Sequence, residues 1–221
     1  MEIRKFRSQY DLELIPASHE GISLGYLVWD PIIGTPNFSK KGMPNTIYNA
    51  FLDAGLITQT DWDQFKTEYQ DSPLIDAQLA TRTLNINIES VSELQHPKIG
   101  LIGGGFTSDL IRKFTFGDLQ MREMSDLTRI KIDGFLELMK ATLWSDYDGS
   151  IRRVFMITEL YYGTIRMVVE KQYSAELEAV LENVKLEAIH RTEGSHAVEY
   201  EFSHDNVPFA MRIERVRSFN G

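Results

Sequence analysis

The most unusual local feature of the chain is a glycine cluster, Lys98-Ile-Gly-Leu-Ile-Gly-Gly-Gly-Phe106. Glycines in such a run suggest a loop that cradles phosphate, but that chemistry needs a Lys-Ser/Thr pair after them, and none follows. Ile99, Leu101, Ile102 and Phe106 also make the segment too apolar for an ordinary wet turn. Two readings stay open from the residues alone. Gly103, Gly104 and Gly105 either give a flexible turn between two strands, or belong to a segment that stays compact in water and later enters a bilayer.

The other candidates for chemistry are weaker. His19, His96, His190, His196 and His204 are scattered. His190 and His196 are placed to face each other across a turn at Glu193-Gly194, but two imidazoles without a third ligand make a poor metal site. Asp146-Tyr-Asp148-Gly-Ser150 hints at a calcium loop, yet its glycine comes two positions early and position twelve is Ile157 rather than Glu, which leaves a turn. There is no G-x-S-x-G elbow, H-E-x-x-H pair or Walker lysine. Carboxylates are plentiful, and nothing local separates a catalytic pair from surface charge. The expectation is a non-enzyme with no catalytic residues, no metal and no cofactor.

Strand patterns dominate the elements that must carry these features. Leu84, Ile86 and Ile88 alternate with Asn85, Asn87 and Glu89; Val184, Leu186 and Ala188 with Lys185 and Glu187; Val198, Tyr200 and Phe202 with Glu199 and Glu201. Phe209, Met211 and Ile213 flank Ala210 and Arg212. A period of two marks half-buried strands with one wet face. Residues 153–162, then Gly163-Thr164, then 165–170 read as a hairpin. Helices are expected at 2–10, 46–55, 60–69 (capped by Thr60), 133–144 and 174–183. In 133–144 the apolar face is Phe135, Leu138, Met139, Thr142 and Leu143. The fold class read from this is α+β, a mostly antiparallel sheet with helices packed on it, in one domain over residues 1–221.

Composition narrows the function classes. At 221 residues and 43% hydrophobic the chain can bury a real core. Lys+Arg at 23 against Asp+Glu at 32 leaves a net charge of −9, which argues against a uniformly basic nucleic-acid binder. The charge is uneven: residues 11–80 balance at −7, while the first ten and last ten residues each come to +2. The sequence has no cysteine, so disulfide scaffolds, thiolate zinc sites, thiol catalysis and S-acyl anchors are excluded. No stretch approaches the ~20 apolar residues of a membrane-spanning helix, and no apolar run follows the charged N-terminus as in a secretory signal. A cytoplasmic protein is expected.

Taken in order along the chain, several segments resemble the pore-forming N-terminal domain of the gasdermin family. Tyr10-Asp-Leu-Glu-Leu-Ile-Pro16 followed by Gly21-Ile-Ser-Leu-Gly-Tyr-Leu-Val28 is similar to that family's first hairpin after a basic amphipathic helix. The 98–106 cluster resembles the apolar Gly/Ala-rich stretch of its first insertion region. Lys113-Phe-Thr-Phe-Gly-Asp-Leu-Gln-Met121 is similar to the strand that follows. Val154-Phe-Met-Ile-Thr-Glu-Leu160 resembles the family's most recognisable strand, and Pro208-Phe-Ala-Met-Arg-Ile213 its closing one. The order and spacing over some 200 residues carry the resemblance.

The resemblance implies a cell-death effector that docks on an acidic phospholipid membrane, self-oligomerises and unfolds two regions, about 82–123 and 152–202, into a β-barrel pore. It implies a cytoplasmic location when inactive and the plasma membrane when active. Arg4, Lys5 and Arg7 on the first helix, and Lys40 and Lys41 after the first hairpin, would touch lipid headgroups. Arg112, Lys113, Arg152 and Arg153 would lie near the bases of the two regions. Ile99, Leu101, Ile102, Gly103, Gly104, Gly105 and Phe106 would insert. Juxtamembrane cations contribute about 1 kcal/mol each near an anionic surface, so three to five could dock an acidic protein.

Vertebrate gasdermins carry a second, inhibitory domain, and bacterial relatives usually an acylated cysteine near the start; this sequence has neither. The resemblance therefore implies a single-domain, cleavage-independent relative such as the fungal regulator-of-cell-death gasdermins of allorecognition, in which a homologous allelic partner chain is the activator, or else a bacterial gasdermin relative. The alternative expectation is a soluble, non-enzymatic protein-binding module that shares the sheet-and-helix pattern and uses the apolar glycine turn as its contact patch.

Overall fold

A computed structural model describes residues 7, 9–15, 21–29, 38, 44–70, 73, 75–77, 79, 84–86, 111–139, 154–183, 188, 190–202 and 208–216. The strands are β1 (Glu13–Leu14), β2 (Leu27–Trp29), β3 (Ile75–Asp76), β4 (Leu84–Ile86), β5 (Ile111–Glu123), β6 (Val154–Glu170), β7 (His190–Glu193), β8 (Ala197–Phe202) and β9 (Ala210–Arg215). The helices are α1 (Ile47–Asp53), α2 (Gln59–Gln70), α3 (Asp126–Met139) and α4 (Ser174–Asn183), the last preceded by a 3-10 turn at Lys171–Tyr173. The fold is α+β, as the sequence pattern indicates. Strands hydrogen-bond in the order β1-β9-β6-β5-β3, with β2 and β8 also on β6, β4 on β5 and β7 on β8. The pairs β2–β6, β3–β5, β4–β5, β6–β8 and β7–β8 are antiparallel. The residues fall into two compact units.

The first unit comprises residues 1–20, 75–121 and 161–210. The expected alternation is met in β8, where Val198, Tyr200 and Phe202 are buried between more exposed neighbours. Its partner, residues 165–170 of β6, alternates in the same way, with Ile165, Met167 and Val169 inward. These side chains join Leu84, Phe114 and Phe116 in one core, where the Phe116 and Phe209 rings stack 3.8 Å apart. Each fully buried side chain of this size stabilises the unit by about 1.5–3 kcal/mol. α4 closes the core with Leu177 and Leu181, the i, i+4 face expected of residues 174–183. Of the alternation expected at 184–188, only Ala188 lies within the described residues, and it is outside a strand.

The second unit comprises residues 21–74, 122–160 and 211–221. Thr46 caps α1 by accepting the Asn49 N–H at 3.1 Å. The helix ends as its sequence requires: Gly55 takes a φ of 68°, Gly55 N–H donates to the Leu52 carbonyl, and Leu56 N–H to that of Phe51. α2 is capped by Thr58 rather than Thr60. Thr58 Oγ1 accepts the Asp61 N–H at 3.2 Å while Asp61 accepts the Thr58 N–H at 2.8 Å, and this reciprocal pair starts the helix one residue early. Tyr48 and Phe65 stack at 5.0 Å, and Phe51 and Phe135 lie 5.2 Å apart.

Three expectations fail for identifiable reasons. Residues 153–170 do not turn at Gly163-Thr164: β6 runs unbroken from Val154 to Glu170. Gly163 has no positive φ, and its flanks Tyr161, Tyr162 and Ile165 all favour strand. α3 starts at Asp126, not 133, because Ser125 Oγ accepts the Thr128 N–H at 3.2 Å and sets the cap. The inward face is therefore Ile132 and Leu136, while Leu138, expected inside, is 61% exposed alongside Leu127 and Ile130. Finally, β1 pairs with β9 and β2 with β6, so the described parts of 10–16 and 21–28 do not form a hairpin with each other.

Candidate functional site

Among the residues expected to touch lipid, Arg7, Arg112 and Lys113 lie within the described residues. Arg4, Lys5, Lys40, Lys41, Arg152 and Arg153 lie outside them, as does the whole insertion set Ile99, Leu101, Ile102, Gly103, Gly104, Gly105 and Phe106.

Arg7 occupies helical backbone, as expected of the first segment; Gln9 and Tyr10 are helical too, and the Asp11 N–H donates to the Arg7 carbonyl at 2.9 Å. Its guanidinium is paired within the protein. Arg7 Nε stands 2.8 Å from Glu13 Oε1, and the Glu13 side chain is only 5% exposed. Among the described residues that oxygen has no aligned hydrogen-bond donor, so the attraction to Arg7 is coulombic. Burial pushes the Glu13 carboxyl above its ordinary value; Arg7 opposes the shift and Asp11 adds to it. Arg7 is thus the counter-charge of a nearly buried acid.

Arg112 and Lys113 are both exposed on β5, between buried Ile111 and Phe114. Arg112 donates from Nε and Nη2 to one oxygen of Glu170 at 2.9 and 2.7 Å. The other Glu170 oxygen accepts from Gln172 Nε2 at 2.8 Å. Lys113 makes no ion pair among the described residues.

Further pairs on the first unit join separate elements. Arg166 donates to Glu201 at 2.8 Å and to Asp118 at 2.7 Å. The Glu201 bond raises the Arg166 guanidinium above its already high ordinary value. Asp118 has a φ of 48°, a left-handed conformation that aspartate tolerates better than most residues. Lys171 pairs with Glu193 at 2.8 Å and holds that carboxyl below its ordinary value. Arg191 pairs with Glu178 on α4 and lies over the Tyr200 ring. The Tyr200 hydroxyl donates to Glu178 at 3.1 Å; burial, then the Glu178 charge, push it up to about 12.

None of these pairs between separate elements was read from the sequence, because partners 13 to 58 residues apart leave no local signal. The local trace is charge at several wet positions of the alternating strands, among them Arg166, Glu199 and Glu201. His190 and His196 do not face each other across the turn: the register places His190 opposite Glu201.

No described helix is long and apolar enough to cross a membrane; strands are a separate question. No family model matches the chain, and no curated protein matches its sequence.

Proposed function

We propose that this chain is a gasdermin-like, non-enzymatic pore former that docks on acidic phospholipid, self-oligomerises and rearranges regions 82–123 and 152–202 into membrane strands. In this reading it is a cell-death effector, cytoplasmic until it moves to the plasma membrane, and a homologous partner chain rather than proteolysis triggers it. The observation that supports the reading best is strand length. β5 has 13 residues and β6 has 17, whereas strands in globular proteins usually have about 3–10. At about 3.3 Å per residue β6 spans roughly 55 Å, well beyond the hydrocarbon thickness of ~30 Å that 9–11 tilted residues cross.

Alternation supports the reading over part of this length. Residues 165–170 of β6 and residues 197–202 of β8 already pair with one face apolar and the other wet, the pattern a barrel wall needs. From Met156 to Ile165, by contrast, β6 is buried throughout. A rearrangement would have to uncover that stretch.

Co-flotation with acidic and with neutral vesicles across a salt series tests the docking step. Binding to acidic vesicles that weakens as salt rises is expected. Indifference to acidic vesicles at every salt concentration would favour the second reading, a soluble protein-binding module.

A further inference from the structure

The turn between β7 and β8 folds over the start of the 3-10 turn that follows β6. Gly194 N–H donates to the Ala197 carbonyl at 2.9 Å and closes the turn, with Ser195 and His196 at its tip. Lys171 N–H donates to the His196 carbonyl at 3.1 Å and ties the two segments together. Arg112 comes in from β5. Three segments of the first unit thus line an open polar bowl of about 480 Å³, formed by Arg112, Glu170, Lys171, Gln172, Ser195 and His196. That volume is within the range of about 300–1,000 Å³ typical of small-molecule sites.

Five of the six lining side chains can donate hydrogen bonds, and two of them, a guanidinium fork and an ammonium, carry fixed positive charge. Both cations have carboxylate partners, Arg112 with Glu170 at 2.7 Å and Lys171 with Glu193 at 2.8 Å. The side chains of Arg112 and Lys171 remain 55% and 51% exposed. Ion pairs this exposed are weak. Both cations line the bowl, and an anion of higher charge can displace the Glu170 carboxylate from Arg112.

We propose that this bowl binds a phosphomonoester dianion. Arg112 and Lys171 supply the charge, and Gln172, Ser195 and His196 supply hydrogen bonds to the remaining oxygens. A carboxylate would offer Arg112 only what Glu170 already gives. A phosphate dianion brings twice the charge and three acceptor oxygens, which match donors arriving from three directions. The source is either a phosphomonoester lipid headgroup, which rests on the membrane reading above, or a soluble phosphate, which does not.

Two measurements on the full chain separate these sources. Inorganic phosphate is titrated while the amide resonances of Ser195 and His196 are followed, and flotation is compared on vesicles with equal mole fractions of phosphatidic acid or phosphatidylserine. Saturable shifts at both amides, and stronger flotation on phosphatidic acid, are expected. Lys171→Ala should weaken the phosphatidic acid preference roughly fivefold, the ratio equivalent to about 1 kcal/mol for one cation near an anionic surface. Ser195→Ala should weaken phosphate binding without altering the circular dichroism spectrum. Shifts with phosphate but no vesicle binding would keep the site, assign it a soluble ligand and count against the membrane reading. Equal flotation on both lipids with no phosphate shifts would overturn the site and leave membrane docking standing.

Discussion

Gly163 on β6 packs against Gly117 on β5 so closely that a Cβ added at Gly163 would meet the Gly117 carbonyl oxygen at 3.0 Å. It would also meet Leu119 Cδ2 at 3.0 Å and Phe116 Cβ at 3.3 Å. Glycine is needed there for close approach of two strands, not for a turn. Gly163→Ala should therefore cost about 1–3 kcal/mol by overpacking, read as a lower midpoint in thermal unfolding. An unchanged or raised midpoint would mean that the strands can separate freely at this point.

The Arg7–Glu13 pair gives a pH dependence with a definite sign. Glu13 titrates above its ordinary value in the fold, so between the unfolded and folded values the native state holds more protons. Its stabilising contribution is full below the unfolded value, ~4.3, and is lost as pH rises through the folded value. Glu13→Gln should flatten the stability profile across that window. Arg7→Ala should destabilise by about 1–3 kcal/mol at neutral pH, where the buried carboxylate is left unpaired, and by less in acid. Denaturant midpoints at several pH values check both. Equal cost of Arg7→Ala at acid and neutral pH would contradict this account of the pair.

Tyr200 should keep its proton well into the alkaline range. Its hydroxyl is pushed to about 12, so as pH rises above the ordinary tyrosine value of ~10 the unfolded state loses its proton first and stability falls. Tyr200→Phe should cost about 1 kcal/mol at neutral pH through loss of the Glu178 hydrogen bond. It should also remove one component near pH 12 from an ultraviolet tyrosine titration. A titration unchanged by the substitution would place that component elsewhere.

Arg7 must be separated from the other candidate lipid contacts, because reversing it also strips Glu13 of its counter-charge. The informative series is Arg4→Glu, Lys5→Glu, Lys40→Glu and Lys41→Glu together, with the helical circular dichroism signal as a control on folding. Loss of flotation on acidic vesicles with an intact spectrum is expected. Unchanged flotation would remove this surface from the account.

Much of the fold was legible because its signals are local. The positions of α1, α2 and α4, the Leu177–Leu181 face of α4 and the alternation of β8 follow from residues within a few positions of one another. Most of what the sequence hid depends on distant partners. Gly163-Thr164 has the composition of a turn, and only Gly117 and Leu119 across the sheet show why glycine stands there. The start of α3 was missed because Ser125, the residue that caps it, precedes the apolar pattern that announced the helix. Of the site cations among the described residues, Arg7, Arg112 and Lys113 were named from the sequence and Lys171 was not. That Arg7 neutralises Glu13, and that Arg112 and Lys171 converge on one bowl, depends on strand register and on a backbone bond between segments, which no local pattern encodes.

Dye release from acidic-lipid vesicles by the purified chain and by Gly104→Glu, with flotation of both, tests pore formation most directly. The account predicts release that falls as salt rises for the wild-type chain, and retained docking with little release for Gly104→Glu. Equal release from both would contradict insertion of the glycine segment. Vesicles that stay intact with the wild-type chain, even with a homologous partner chain present, would contradict pore formation itself.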